Sequence, residues 1–386
     1  SNVTGTSATV SGNAVRVTWN SASDATSGID YYNVYRDTTA GFTPSASNRI
    51  GSTVNTEFVD PSVTSGTYYY KVTAVDKAGN EGSTSVEASI SIDFVAPQAA
   101  LIIINGGAQY TNSPSVTLTL AARDNNGIKN CWASNDLTTW TSVGTGSTAS
   151  WTLDSSSDGT KIVYYKCTDY SDNNSNIVSD TIILDRTPPS PPVAVSPTSA
   201  ITTGSTVTWD WNASTDATSG VAYYRAMLYK NGVLVKDENV TNTYLTLSNL
   251  SEGSYILYVT AIDNAGNSSA QLQFATVTVD TTKPSVTFTN PTATTWTNDT
   301  LPDFNFSVSS DVTQCIVIPY INGMAQSTVT STPSGNACGY TASGVSNGDE
   351  VYIGVVVKDS AGNESYAVLS PTYKICLLYT SPSPRD

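Results

Sequence analysis

Four segments of the chain end in the same way: VTAVDKAGN (Val72 to Asn80), KCTDYSDNN (Lys166 to Asn174), VTAIDNAGN (Val259 to Asn267) and VVVKDSAGN (Val355 to Asn363). Their aspartates, Asp76, Asp169, Asp263 and Asp359, follow one another at intervals of 93, 94 and 96 residues. A fixed period of this length implies one folded unit per copy. Each motif closes an alternating run rich in Val, Ile, Tyr and Thr, such as TYYYKVTAV, the pattern of a half-buried strand. The D-x-A-G-N unit then reads as a hairpin turn, in which the aspartate accepts backbone N–H bonds and the glycine takes the left-handed conformation. Asp172 stands in the glycine position of the second copy, which that conformation tolerates at some cost.

A second mark recurs at the joins, Asp93 to Pro97, Asp185 to Pro189 and Asp280 to Pro284. Proline cannot continue a central ladder, so each join ends one sheet and begins the next. The joins are short and free of glycine, hence semi-rigid. Units of this size, with many short strands, frequent turn signals and no helical periodicity, predict an all-β chain. The expectation is four tandem Greek-key β-sandwiches in an elongated array, over residues 1–95, 96–187, 188–282 and 283–375, spanning on the order of 120–160 Å.

The copies alternate in kind. Copies one and three share VRVTWNSASDATSGIDYY (Val15 to Tyr32) and VTWDWNASTDATSGVAYY (Val207 to Tyr224), and each places a tyrosine, Tyr68 or Tyr255, eight residues before the turn aspartate. That position suits a tyrosine corner. With Trp19 and Trp211 on the second strand, these copies resemble fibronectin type III domains. Copies two and four lack the tyrosine and resemble the bacterial Ig-like domains of large surface proteins, in which D-x-x-x-P joins and D-x-A-G-N turns are common. Trp132, Trp140 and Trp151, all in the second copy, read as strand-face or core packing or as a sugar-stacking platform.

Residues 376–386, CLLYTSPSPRD, break with this composition and resemble the translated transposase adapter used in shotgun DNA library preparation. Such a segment is expected to be disordered and to pack against nothing, and, with Ser1 opening without a methionine or leader, the chain reads as a fragment. Setting Cys376 aside leaves four cysteines, two in copy two and two in copy four. Their pairing within copies points to disulfides in an oxidising compartment, Cys131 with Cys167 across adjacent strands and Cys315 with Cys338 between sheets. Free thiols in a reducing compartment are the competing reading, and zinc is disfavoured because no CxxC pair exists.

Composition narrows the function. Acidic residues outnumber basic ones 32 to 17, and the net charge of −15 repels nucleic acid and anionic membrane surfaces. No stretch reaches the ~18 apolar residues of a membrane span. Histidine is absent, which removes Ser-His-Asp and Cys-His catalysis. No phosphate-binding loop occurs. Charged residues are 13 % of the chain, and the acids recur at turns instead of gathering in one cleft. The chain is therefore expected to be no enzyme but a secreted, extracellular or cell-surface stalk or adhesin segment, spacing or presenting a binding domain for a protein or glycan ligand. The alternative is a set of accessory modules, open to carbohydrate binding, of a secreted polysaccharide hydrolase or protease.

The sandwich topology adds a metal expectation. The B–C and F–G loops sit at the end where the chain enters, so the linker aspartate faces both. Asp93 should meet Asp124 and Asp169, Asp185 should meet Asp216 and Asp263, and Asp280 should meet Asp311 and Asp359. Three carboxylates without a base suit a hard cation taking six to eight oxygens, so Ca2+ is the candidate cofactor. Calcium-clamped joins are familiar in cadherins and long bacterial adhesins; the competing reading is that aspartate is simply favoured in turns. Asp24 and Asp76 have no upstream linker aspartate and should lack a complete site.

Overall fold

Alternation builds the strands. In Gly253–Asp263 the residues Tyr255, Leu257, Val259 and Ala261 are buried while those between them face outward, the period-two signature of a sheet with one covered face. The computed structural model describes residues 1–198 and 200–377. Two compact units divide the chain, Ser1–Arg186 and the part from Thr187 onward.

In the first unit, the strands Thr4–Ser11, Ala14–Asn20 and Glu57–Asp60 form one antiparallel sheet, and Arg49–Thr53, Ile29–Asp37, Gly66–Asp76 and Ala88–Ile92 form the sheet that faces it. Val15, Val17, Val34, Tyr70 and Val72 fill the space between them. A second pair follows, Thr148–Thr152, Ser115–Arg123 and Gln98–Ile104 against a larger sheet centred on Ile128–Ser134 and Gly159–Asp169. Its core holds Ile104, Leu118, Val163 and both cysteines. The second unit repeats this plan twice, around Trp209, Leu257 and Phe274 and around Phe304, Phe306 and Val355. Each such fully buried large side chain contributes about 1.5–3 kcal/mol relative to exposure.

The tyrosine corners form. Tyr68 accepts the Thr64 N–H at 3.2 Å, and the Tyr255 hydroxyl donates to the Ser251 carbonyl at 2.7 Å. Trp19 and Trp211 each meet a tyrosine of the next strand edge-on at 5.4 Å.

One grouping read from the sequence does not carry over to topology. Copy three, matched to copy one by its B–C region, shares with copies two and four a first strand that switches sheets. Ala200–Thr202 runs parallel to Val277–Val279, as Tyr110–Thr111 runs parallel to Val178–Leu184 and Thr295–Thr297 to Tyr373–Ile375. The first strand breaks after Ser196 because Pro197 has no N–H to donate, and in copy four Pro291 follows Asn290 in the same role. Copy one shows no such parallel strand among the described residues.

Cys131 and Cys167 lie opposite each other on adjacent strands and are bonded, with Cα atoms 4.0 Å apart. Cys315, on the larger sheet of the fourth sandwich, is bonded to Cys338 on the smaller one, with Cα atoms 6.7 Å apart. The carboxyl-terminal segment departs from the expectation of no packing. Cys376 N–H donates to the Thr297 carbonyl, Leu377 N–H donates to Asn347 Oδ1, and Leu377 packs on the fourth core, because an apolar residue next to a strand end meets an open core edge. Residues 378–386, on which the rest of that expectation falls, lie outside the described residues.

Candidate metal centres at the joins

The turn that ends each copy is built by its aspartate. Asp76 Oδ1 accepts the Ala78 and Asn80 N–H groups, and its other oxygen accepts the Asn80 side chain at 2.9 Å. Asp169, Asp263 and Asp359 repeat the arrangement with Asn173, Asn267 and Asn363. Gly79, Gly266 and Gly362 take φ values of +87°, +92° and +96°, and Asp172 holds +62° in the second copy.

Within the first unit, one carboxylate oxygen from each of Asp93, Asp124 and Asp169 lies within 4.8 Å of the others. Asp93 and Asp169 are buried. Asp93 Oδ1 accepts the Ser65 hydroxyl and the Val95 N–H, and Oδ2 accepts Asn125 Nδ2 at 3.2 Å. Asp124 Oδ1 accepts the Asn126 N–H at 2.8 Å, whereas its Oδ2 is buried and has no hydrogen-bond partner. None of the ion pairs among the described residues reaches these three. The donor set is all oxygen, which fits a hard cation and not zinc or copper.

The second unit holds a like set. Oxygens of Asp280, Asp311 and Asp359 lie within 4.8 Å of one another, with Asp359 buried and Asp311 exposed. Asp280 Oδ1 accepts the Thr282 N–H, and the Asp311 carbonyl accepts the Ser360 N–H at 3.1 Å. Asp185 closes the first unit, its N–H donating to the Thr111 carbonyl, while Asp216 and Asp263 stand in the second. Asp216 Oδ1 accepts the N–H groups of Thr218, Ser219 and Gly220. That set of three stands as the expectation read from the repeat. In the first copy, Asp24 caps Thr26 and Ser27.

Sequence reasoning missed the turn asparagines. Asn173 Nδ2 donates to its own Asp169 and also, at 2.9 Å, to the carbonyl of Asp93 in the preceding linker; Asn363 does the same to Asp280 at 2.9 Å. The two hydrogens of one amide thus tie a turn to the copy before it. Recurrence of asparagine at this offset in every copy was the available signal. The tryptophans of copy two do not share one face. Trp151 is on the smaller sheet, packs on the core and donates from Nε1 to Asn135, whereas Trp140 lies over Lys166 at 4.1 Å on the larger sheet, where Trp132 pairs with Lys166.

Residues 238–335 match the family described as bacterial Ig-like domain (group 3). Exoglucanase B of Cellulomonas fimi is 28% identical over 300 residues, 72% of this chain and 25% of that protein. Chitinase A1 of Niallia circulans is 33% identical over 207 residues, 52% of this chain and 28% of that protein. A solved Fn3-like protein from Clostridium thermocellum is 35% identical, covering 25% of this chain and 95% of its own, with a TM-score of 0.20. The chain spans about a quarter of the length of the curated relatives it matches. The chain is a tandem run of β-sandwiches, within which residues 238–335 match the bacterial Ig-like family.

Proposed function

We propose that this array is a non-catalytic run of accessory modules in a secreted polysaccharide hydrolase, holding a catalytic domain at a set distance from its neighbours. The observation that carries the reading is the similarity over 300 residues to about a quarter of an exoglucanase, with a chitinase as a further relative. The spacing role expected of a stalk is kept; what the spacer presents becomes a hydrolytic domain instead of an adhesive one. Two disulfides support an extracellular setting. The turn aspartates are engaged by N–H donors of their own loops, an arrangement that favours architecture over acid–base chemistry. Extending the gene sequence on both sides should reveal a glycoside hydrolase domain. Further repeats closed by a wall-anchoring signal, with no such domain, would overturn the reading in favour of an adhesin.

Calcium at the joins belongs to the same proposal. Asp93, Asp124 and Asp169 would hold one ion and Asp280, Asp311 and Asp359 another, each relieving carboxylate repulsion and stiffening its join. Titration calorimetry of the full chain with calcium, after chelator treatment, should show binding whose stoichiometry falls by two ions per chain on replacing Asp169 and Asp359 by alanine. Heats equal to those of buffer would refute it.

A further inference from the structure

We propose that the outward faces of the larger sheets in the second unit bind neutral polysaccharide through cross-strand tyrosine pairs. This deepens the reading above, on which it rests, by making the modules themselves contact the polymer. Tyr229 and Tyr320 occupy like positions in two sandwiches, whereas their partners differ, Tyr352 standing directly opposite Tyr320 and Tyr258 one diagonal step from Tyr229. Tyr229 lies two residues before the Asn231-Gly232 turn and Tyr320 two residues before the Asn322-Gly323 turn, and all four turn residues have positive φ. Strand alternation sends Leu228 and Leu257 into the third core and leaves Tyr229 and Tyr258 outside it. These rings meet edge-on at 5.4 Å and, with Met227, Gly232, Ile256 and Gln271, line an open cleft of about 420 Å³, within the usual size range of small-ligand clefts. In the fourth sandwich Tyr320 stacks on Tyr352 at 4.8 Å, and exposed Leu369 borders them. Gly354 lies beneath them, where a Cβ would be in ordinary contact, 3.5 Å, with both Leu369 and Tyr320.

The chemistry of these faces selects the ligand. A pyranose ring presents a face of weakly positive C–H groups, which fits the electron-rich face of an aromatic ring. Its rim of hydroxyls needs polar partners, and none of the four tyrosine hydroxyls has a hydrogen-bond partner among the described residues. No ionised side chain lines the cleft, and the chain carries a net charge of −15. Acidic glycans and anionic peptides are therefore repelled, while a neutral polymer is not. Two weak sites on one chain raise retention on a polymer that spans both.

The test is co-sedimentation of the full chain with microcrystalline cellulose and with chitin, in chelator so that calcium plays no part. Retention on one polymer or both is expected, about tenfold weaker when Tyr229, Tyr258, Tyr320 and Tyr352 are all replaced by alanine. Met227→Lys with Leu369→Lys keeps the ring pairs, obstructs both faces and should also lower retention at an unchanged melting temperature. Retention no greater than on an inert resin, or retention unchanged in both variants, overturns the inference. If retention fails while the extended gene carries a hydrolase domain, the spacer reading stands and this one falls.

Discussion

Replacing Asp124 by asparagine should stabilise the first unit without calcium and weaken it with calcium. Oxygens of Asp93, Asp124 and Asp169 lie within 4.8 Å of one another, and two unit charges at that separation repel by about 3.5 kcal/mol at an effective dielectric constant of about 20. Asparagine removes two of the three repulsions, about 7 kcal/mol before solvent and salt are counted. Its side-chain oxygen can still accept the Asn126 N–H, so the turn is kept. Its amide takes the place of the buried Oδ2 that has no partner and can donate to a neighbouring carboxylate. Asp124 is only part-buried, so the expected gain is about 1–2 kcal/mol, or roughly 2–8 °C for a unit of this size. Calorimetry of the full chain in chelator should show this rise. In millimolar calcium the order should reverse, because a charged ligand has been lost. A variant that melts below the wild type in chelator would refute the reasoning and make Asp124 an ordinary turn residue.

Three further outcomes are expected. Converting Cys315 and Cys338 together to serine should lower stability by about 3.4 kcal/mol in urea unfolding, and the Cys131 and Cys167 pair by about 3.8 kcal/mol, from the loop lengths they close. Tyr70→Phe should cost about 1.5–3 kcal/mol in the same assay, because the Tyr70 hydroxyl donates to the buried Asp60 that also holds Arg36; no change would deny that network its role. Acid unfolding should begin late. Asp76 is held below its ordinary value of 3.8 by the Asn80 side chain and N–H, and Asp24 by the Ser27 and Thr26 N–H groups. A folded pKa below the unfolded one stabilises above pH 3.8 and loses that contribution as pH falls through the folded value. Circular dichroism should therefore be flat from pH 7 to about 4, and loss of signal above pH 5 would contradict this account.

What could be read from the chain was local. The D-x-A-G-N turns, the alternating strands and the tyrosine corners are each decided by a few neighbouring residues, and Asp76, Gly79 and Tyr255 behave as their chemistry requires. The sheet switch of the first strand was not legible in copy three, because the resemblance to copy one lies in the B–C region while the switch is set by Pro197, outside it. The aspartates announced themselves as a repeated set, yet their mutual distances depend on where three loops end in space. Asn173 and Asn363 were hidden for a different reason. An asparagine in a turn already has a sufficient local explanation, and its second amide hydrogen finds its acceptor 80 or more residues away in sequence.

That second hydrogen places the boundary of inheritance out of step with the boundary of folding. The joins at Asp93 and at Asp280 are each completed by the exit aspartate of one copy and the turn asparagine of the next, so neither copy owns them. Unequal recombination that adds or deletes whole periods would regenerate joins of this kind from parts the flanking copies already encode. A deletion of half a period would leave an amide without its carbonyl. Copy number is thus a ruler whose graduations can be added or removed by the genome, while the chemistry at each mark stays unchanged.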